Sequence, residues 1–404
     1  MSTSANQHGQ TPPSTVVDTP KAKSWWASNV AINSATAVGF IVTFIIFHFW
    51  LSVGFFVPDS RVLNIHQNVP IMILALAAVV GLFSGAFDIS IASMATLSAF
   101  LTIGFTSLQG WPIWLTLPVV LLVGCLGGLL NGILVAYIRV NVIIATLGTG
   151  SLFLGISIAY SNGSTISAAF GEPLPAWFVA MGTYTAKLPG VLAWLVAIVI
   201  VAWVVYALVC SRFTFGFRNR RFRLAAVISV VVGLAAALYF FGNMGTWFSS
   251  VSWAVLSLAI ITLGVHVFMM HTRSGRNLRA VGSNPVAARL AGVKVERVTV
   301  MAFCVVGMIA ALAGIFLVAN QGAAAPNVAG TFLLAAFAAA FLSTVILSPG
   351  LFTVWGTVIG GVFIVWVAQG LILAGVPFTW IDIVNGIILI IAVSLSSVLR
   401  RVNS

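Results

Sequence analysis

The stretch HTRSGRNLRAVGSNPVAARLAGVKVERVTV, residues 271–300, decides the fold. It carries Arg273, Arg276, Arg279, Arg289, Lys294, Glu296 and Arg297, seven of the 24 formally charged residues in a 404-residue chain that is 61% hydrophobic. Long apolar runs lie on both sides of it. Charge confined to short intervals between apolar runs of about 20 residues is the pattern of a chain crossing a membrane many times as helices. A soluble domain would hold about 25% charged residues, against 6% here. A membrane barrel would show strands of about ten residues alternating polar with apolar, which these runs do not. The net charge of +12 therefore reads as positive-inside bias rather than as a nucleic-acid surface.

Working outward, the runs predict an all-α polytopic membrane protein of about twelve segments: 35–57, 69–86, 89–106, 113–137, 142–160, 190–210, 224–242, 251–270, 298–320, 331–347, 352–373 and 380–398. The pairs at 69–106 and 331–373 are short and interrupted at Asp88 and at Ser348-Pro349-Gly350, as broken helices meeting inside a transporter are. LPAWFVAMG, residues 174–182, fits either an interfacial helix or a loop. Twelve crossings put both ends on one side. With that side cytoplasmic, the N-terminal tail and the intervals 138–141, 211–223, 271–297 and 399–404 hold 16 of the 18 Lys and Arg, leaving out only Arg61 and Lys187. Residues 1–34, rich in Ser, Thr, Pro and Gln, read as a disordered cytoplasmic tail. The remainder, 35–398, reads as one transmembrane domain, followed by a short cytoplasmic C-terminus at 399–404. SRFTFGFRNRRFR, residues 211–223, is a basic cluster expected to lie near anionic headgroups and fix topology, or to bind a regulator.

Within the opening stretch, Ser283 or Asn284 can cap a helix, Pro285 suits its first turn, and Gly292 can end it in the left-handed conformation. About two turns are too few to stand alone in water. Such a helix needs a surface to pack on, and Arg289 is expected to meet a carboxylate of a partner. The bland alternative is a turn between two membrane helices.

Asp88 is a carboxylate near a membrane segment, a costly placement that marks function or careful satisfaction. Three roles stay open for it: capping the next helix, pore or substrate duty, and ion coupling. Asn131 and Asn141 flank a helix junction, and the expectation is that they hold it by hydrogen bonding, with solute contact as the alternative. Asn320 and Gln321 close a helix at the outer side, where an arriving solute would meet them. Gly124, Gly127, Gly128 and Gly132 predict a close helix contact. Neither metal-ligand spacing nor a nucleophile–base arrangement is readable, so no cofactor is expected.

Four motifs, in order, resemble one family. They are GAFDISIASMATLSA (85–99), GLLNGILVAYIRVNVIIATLGT (128–149), AVGSNPVAARLAGV (280–293) and FLLAAFAAAFLS…SPGLFTVWGT (332–357), with Asp382 and Asn385-Gly386 beyond. The chain resembles the permease subunit of bacterial sugar ABC importers, the ribose/xylose/arabinose/galactoside permeases. It looks nearest to the larger xylose-type members, because 211–270 adds a basic interval and two helices where shorter members pass straight on. Leu342-Ser343-Thr344 replaces the usual small-residue run of the fourth motif.

The resemblance implies a non-enzymatic transport component in the inner membrane. Its expected partners are a cytoplasmic ATP-binding subunit, an extracytoplasmic sugar-binding protein, a second permease copy or relative, membrane lipid and a monosaccharide such as xylose or ribose. The ATPase would grip 280–293, through Asn284, Pro285, Ala287, Ala288, Arg289, Leu290 and Gly292. Asp88, Asn131, Asn141, Asn320 and Gln321 become candidates for the solute path. The chain holds no GxxxxGK[ST] loop for ATP of its own. The competing class is an ion-gradient-driven secondary transporter of a small metabolite, with Asp88 titrating.

Overall fold

The computed structural model describes residues 42–51, 55, 57–184, 187, 191, 250–346 and 351–403. Among the described residues the chain is helical apart from one two-residue β ladder and an isolated bridge between Lys187 and Ser252. Residues 42–50 are helical. Then follow α1 (Pro58–Gln67), α2 (Val69–Phe83), α3 (Ile91–Ile103, continued by a π turn Gly104–Leu108), α4 (Ile113–Ala136) and α5 (Val142–Ser161). β1 (Ile166–Ser167) and the short α6 (Ala176–Gly182) come next. After the excursion come α7 (Trp253–His271), α8 (Arg273–Ser283), α9 (Pro285–Leu290), α10 (Val295–Gln321), β2 (Ala323–Ala324), α11 (Phe332–Ile346), α12 (Val354–Leu373) and α13 (Ile381–Asn403).

Six of these helices are long and apolar enough to cross a membrane: α3 with its π turn, α4, α5, α7, α10 and α12. The pair α1–α2, bent by 56°, makes a seventh. The chain is thus a multi-pass membrane protein. The predicted helices 190–210 and 224–242 and the basic cluster 211–223 lie outside the described residues, as does Ser348-Pro349-Gly350.

Local chemistry places the helix starts. Asn141 Oδ1 accepts from Ile143 N–H at 2.9 Å to open α5, and Thr353 Oγ1 accepts from Gly356 N–H at 3.2 Å to open α12. The centre of the bundle is α2, buried on nearly every face between α7, α10, α11 and α12. The faces of α4 and α5 that leave Leu122, Leu126, Ile144 and Leu147 exposed suit lipid, because no water-facing surface carries such a run.

The tightest seam is α4 against α10, which run antiparallel. A Cβ on Gly124 would overlap the Gly307 carbonyl, one on Gly128 the Phe303 carbonyl, and one on Gly132 the Val300 backbone. The predicted glycine contact is therefore a backbone-to-backbone approach, with Gly307 answering from the other side.

Two elements escaped the sequence reading. PDSRVLNIHQ forms α1, and RSGRNLRAVGS forms α8 inside what was expected to be loop. Both are too polar to register as apolar runs. Their signals were Pro58 at N1 with Asp59 in the first turn, and Thr272, whose Oγ1 accepts from Gly275 N–H at 3.0 Å. The ambiguous 174–182 contains the seven-residue helix α6.

Candidate functional site

Three places gather the candidate residues: α8–α9 at the charged end of the bundle, a buried polar cluster near that end, and a cleft at the opposite end.

At the charged end, Asn284 is the cap of α9, its Oδ1 accepting from Ala287 N–H at 3.0 Å, and Pro285 occupies N1. Gly292 (φ +84) terminates the helix with paired bonds, Gly292 N–H to Arg289 O and Val293 N–H to Ala288 O, each 3.0 Å. That pair is the Schellman pattern. Ala288 is buried, whereas Val286 and Leu290 are 71% and 87% exposed. Arg289 was expected to seek a partner's carboxylate. Within the chain it pairs with Glu296 in the first turn of α10, an ion pair linking α9 to α10. Replacing Asn284 with Ala is expected to cost about 1 kcal/mol at this terminus. Amide exchange of Val286–Ala288 should accelerate, while exchange in α10 should not change.

The element has a firm seat. A Cβ on Gly282, near the end of α8, would overlap the Phe83 carbonyl at the end of α2, and Gly85 (φ +77) faces Gly282 from the turn beyond. No side chain intervenes at that contact.

The chain from Ser84 to Ser90 leaves helix and returns, and inside a bundle its freed polar groups need partners. Asp88, 4% exposed, supplies them. Its Oδ1 accepts from Ser90 N–H at 2.9 Å and from Ser90 Oγ–H at 2.6 Å. Asn131 Nδ2 donates to Ser90 Oγ at 2.8 Å and more weakly to Asp88 Oδ2 at 3.4 Å, and Thr149 Oγ1 donates to Asn131 Oδ1 at 2.6 Å. The cluster ties the entry to α3, the last third of α4 and the middle of α5. Asp88 thus closes a turn with Ser90 and does not cap α3, whose first turn has no side-chain cap.

Asn131 and Asn141, expected to hold the helix junction by hydrogen bonding, do so at separate places. Asn131 lies inside α4, two turns before its junction with α5 would begin, and binds Asp88 and Ser90, while Asn141 caps α5 from an exposed position.

At the opposite end, Leu63, His66, Gln67, Pro70, Gly182, Thr183, Tyr184, Asn320, Gln321 and Phe332 line an open cleft of about 510 Å³. The bend between α1 and α2 forms its floor. Pro70 has no N–H to return to the His66 carbonyl. Asn320 Nδ2 replaces it, donating to His66 O at 3.2 Å and to Gln67 O at 3.3 Å. His66 is itself fixed, Nδ1 to Ser252 Oγ and Nε2 to Gly182 O, both 2.7 Å. The donor to a carbonyl must be Nε2–H, while Nδ1 meets a hydroxyl that can either give or take a proton. Beside the cleft, Asp59 Oδ1 collects Lys187 Nζ at 2.8 Å, Ser250 Oγ at 2.5 Å and the Tyr184 hydroxyl at 3.1 Å. Burial above all pushes the Tyr184 phenol up to about 12, so it stays a donor at neutral pH. Lys187 also bridges Ser252 in antiparallel fashion. Gln67 and Tyr184 were not foreseen, because they come from segments that carry no motif.

Among the described residues no group of three or more His, Cys, Asp or Glu could hold a metal ion. The arrangement offers anchoring and hydrogen bonding, without a nucleophile–base pair.

The family model described as "Branched-chain amino acid transport system / permease component" matches residues 62–235 and 220–393. The chain is 30% identical over 374 residues to the xylose transport system permease protein XylH of Escherichia coli K12, covering 89% of this chain and 91% of that one. The XylH protein of Haemophilus influenzae is 29% identical over 329 residues, covering 79% and 84%. The autoinducer 2 import system permease protein LsrC of Salmonella paratyphi B is 28% identical over 321 residues, covering 79% and 73%. No solved structure matches the chain.

Proposed function

We propose, since this chain belongs to the family of branched-chain amino acid transport system permease components, that it is the membrane-spanning subunit of an ATP-driven importer for a monosaccharide, a pentose such as xylose or ribose. The chain is a transport component and not an enzyme. The names of its relatives, xylose and autoinducer 2 import permeases, support a sugar-like solute. With no phosphate-binding loop in the sequence, ATP is hydrolysed on a separate cytoplasmic subunit, and an extracytoplasmic binding protein delivers the solute. A second permease, identical or related, completes the pore. The charged end faces the bacterial cytoplasm, twelve crossings bring both termini there, and 1–34 and 399–404 are cytoplasmic extensions of the domain 35–398. Within it, 211–270 is an insertion of the larger members.

The observation that carries the reading is α9. It is a two-turn helix defined at both ends, held at the charged end, with Val286 and Leu290 standing exposed. Two apolar side chains raised on a short, rigid helix outside the lipid suit a groove on a soluble partner. Residues 280–293 therefore form the ATPase-docking element, and its movement biases the pore between outward-open and inward-open states. Arg289 contributes by linking α9 to α10 through Glu296.

The test is co-purification with the ATPase encoded beside this gene. Leu290→Glu and Val286→Glu are each expected to cut the captured ATPase at least tenfold while the permease keeps its elution profile in detergent. Undiminished capture by both variants would remove α9 from the interface. If instead no ATPase is captured by the native chain, and the purified protein alone moves solute down an ion gradient, the chain works as a secondary transporter.

A further inference from the structure

We infer that the cleft at the α1–α2 bend is a receiving site for an uncharged polyhydroxylated solute, with Gln67, Asn320 and Gln321 as its hydrogen-bonding groups and Phe332 and Tyr184 as its apolar walls. The inference deepens the importer reading and rests on it.

The chemistry of the lining is selective. Among the described residues that line it there is no Asp, Glu, Lys or Arg. Asp59, beside the cleft, is engaged by Lys187, Ser250 and Tyr184, and both ring nitrogens of His66 are already hydrogen-bonded. An amino acid brings an ammonium and a carboxylate, each of which needs a charged or strongly polar partner on leaving water. A cleft without charge does not provide one. A sugar brings hydroxyls that both donate and accept, and side-chain amides do the same.

The amides are free to act. Gln67 and Gln321 are exposed, and their side chains make no hydrogen bond among the described residues. Asn320 spends its NH₂ on the carbonyls of His66 and Gln67, which turns its Oδ1 into a fixed acceptor. A volume of about 510 Å³ lies within the usual range of small-molecule sites, roughly 300–1,000 Å³.

Position matches chemistry. The cleft opens at the end away from α9, where delivered solute would arrive. Its floor is the junction of two half-helices, the kind of break at which transporters place their sites.

The experiment uses the assembled importer in proteoliposomes with saturating loaded binding protein. Uptake of radiolabelled D-xylose, D-ribose and L-arabinose is measured, with leucine as the comparison, and capture of the binding protein is measured in parallel. The double variant Gln67→Leu/Gln321→Leu is expected to lower sugar uptake at least tenfold with capture retained. Gln67→Asn/Gln321→Asn, which keeps the amides, is expected to recover part of it. Undiminished uptake by the leucine variant would overturn the site while leaving the importer reading intact. Parallel loss of capture would overturn it in favour of a protein-docking surface. If the native importer takes up leucine and none of the sugars, the reading and the site fall together.

Discussion

Replacing Gly128 with valine is expected to leave no folded protein in the membrane. A Cβ at this position would already overlap the Phe303 carbonyl and crowd the Cys304 Cα. Those are backbone atoms, so no rotamer change can relieve the contact. The two helices would have to separate along the seam formed by Gly124, Gly128 and Gly132. Overpacking a core costs about 1–3 kcal/mol when side chains can adjust, and here the cost should exceed about 3 kcal/mol. That is a large share of the roughly 5–15 kcal/mol by which a protein is stable. Fluorescence-detected size exclusion after detergent extraction checks it. Gly148→Ala on α5 is the control, since a Cβ there meets nothing within 4 Å. It should shift stability by no more than about 1 kcal/mol, in the stabilising direction, because alanine loses less backbone entropy in a helix. Equal behaviour of the two variants would show that the α4–α10 contact is looser than described.

The second large effect is expected at Asp88. Leucine there strands three donors that have no water to turn to: Ser90 N–H, Ser90 Oγ–H and one hydrogen of the Asn131 amide. An unsatisfied buried group costs about 1–3 kcal/mol, so Asp88→Leu should lose about 3–9 kcal/mol. Asp88→Asn keeps an acceptor for Ser90 but sets an NH₂ against the NH₂ of Asn131. Turning that amide over would make Thr149, which donates to its Oδ1, redirect its hydrogen to Ala145 O. The expected order of thermal stability in detergent is native, then Asn, then Leu. A leucine variant as stable as native would mean that the turn at 84–90 is held by packing alone.

Both effects concern places that the sequence disclosed unequally. The spacing of Gly124, Gly128 and Gly132 on one helical face announced the seam, because a close approach needs small residues at regular intervals. Gly307 was invisible, since nothing in α10 says which helix it will meet. Helices α4, α5, α7, α10 and α12 were legible to within a few residues, because uncharged runs of this length have few other fates. Helices α1 and α8 were not, because their polar composition is that of loops, and tertiary contacts hold them in place.

For the candidate residues the split is similar. The capped and terminated α9 could be read in full, since Asn284, Pro285 and Gly292 act on their own immediate neighbours. Arg289 and Asn131 could not, because each takes its partner from elsewhere in the fold. Glu296 was seven residues from Arg289 and available, yet sequence cannot rank it against a carboxylate on another protein. The cleft draws residues from α1, α2, α6, α10 and α11, and only Asn320 and Gln321 stood out beforehand, by being polar at the end of an apolar run.

One feature of α2 joins the two ends of the molecule. Fifteen residues long, roughly 22 Å at 1.5 Å per residue, it has Pro70 in the cleft and the Phe83 carbonyl against Gly282. A rod loaded at both tips obeys thermodynamic reciprocity. If engagement of the ATPase weakens the hold on solute by some factor, solute in the cleft must weaken the hold on the ATPase by that same factor. The importer would then sense, from its cytoplasmic side, whether a cargo molecule is waiting.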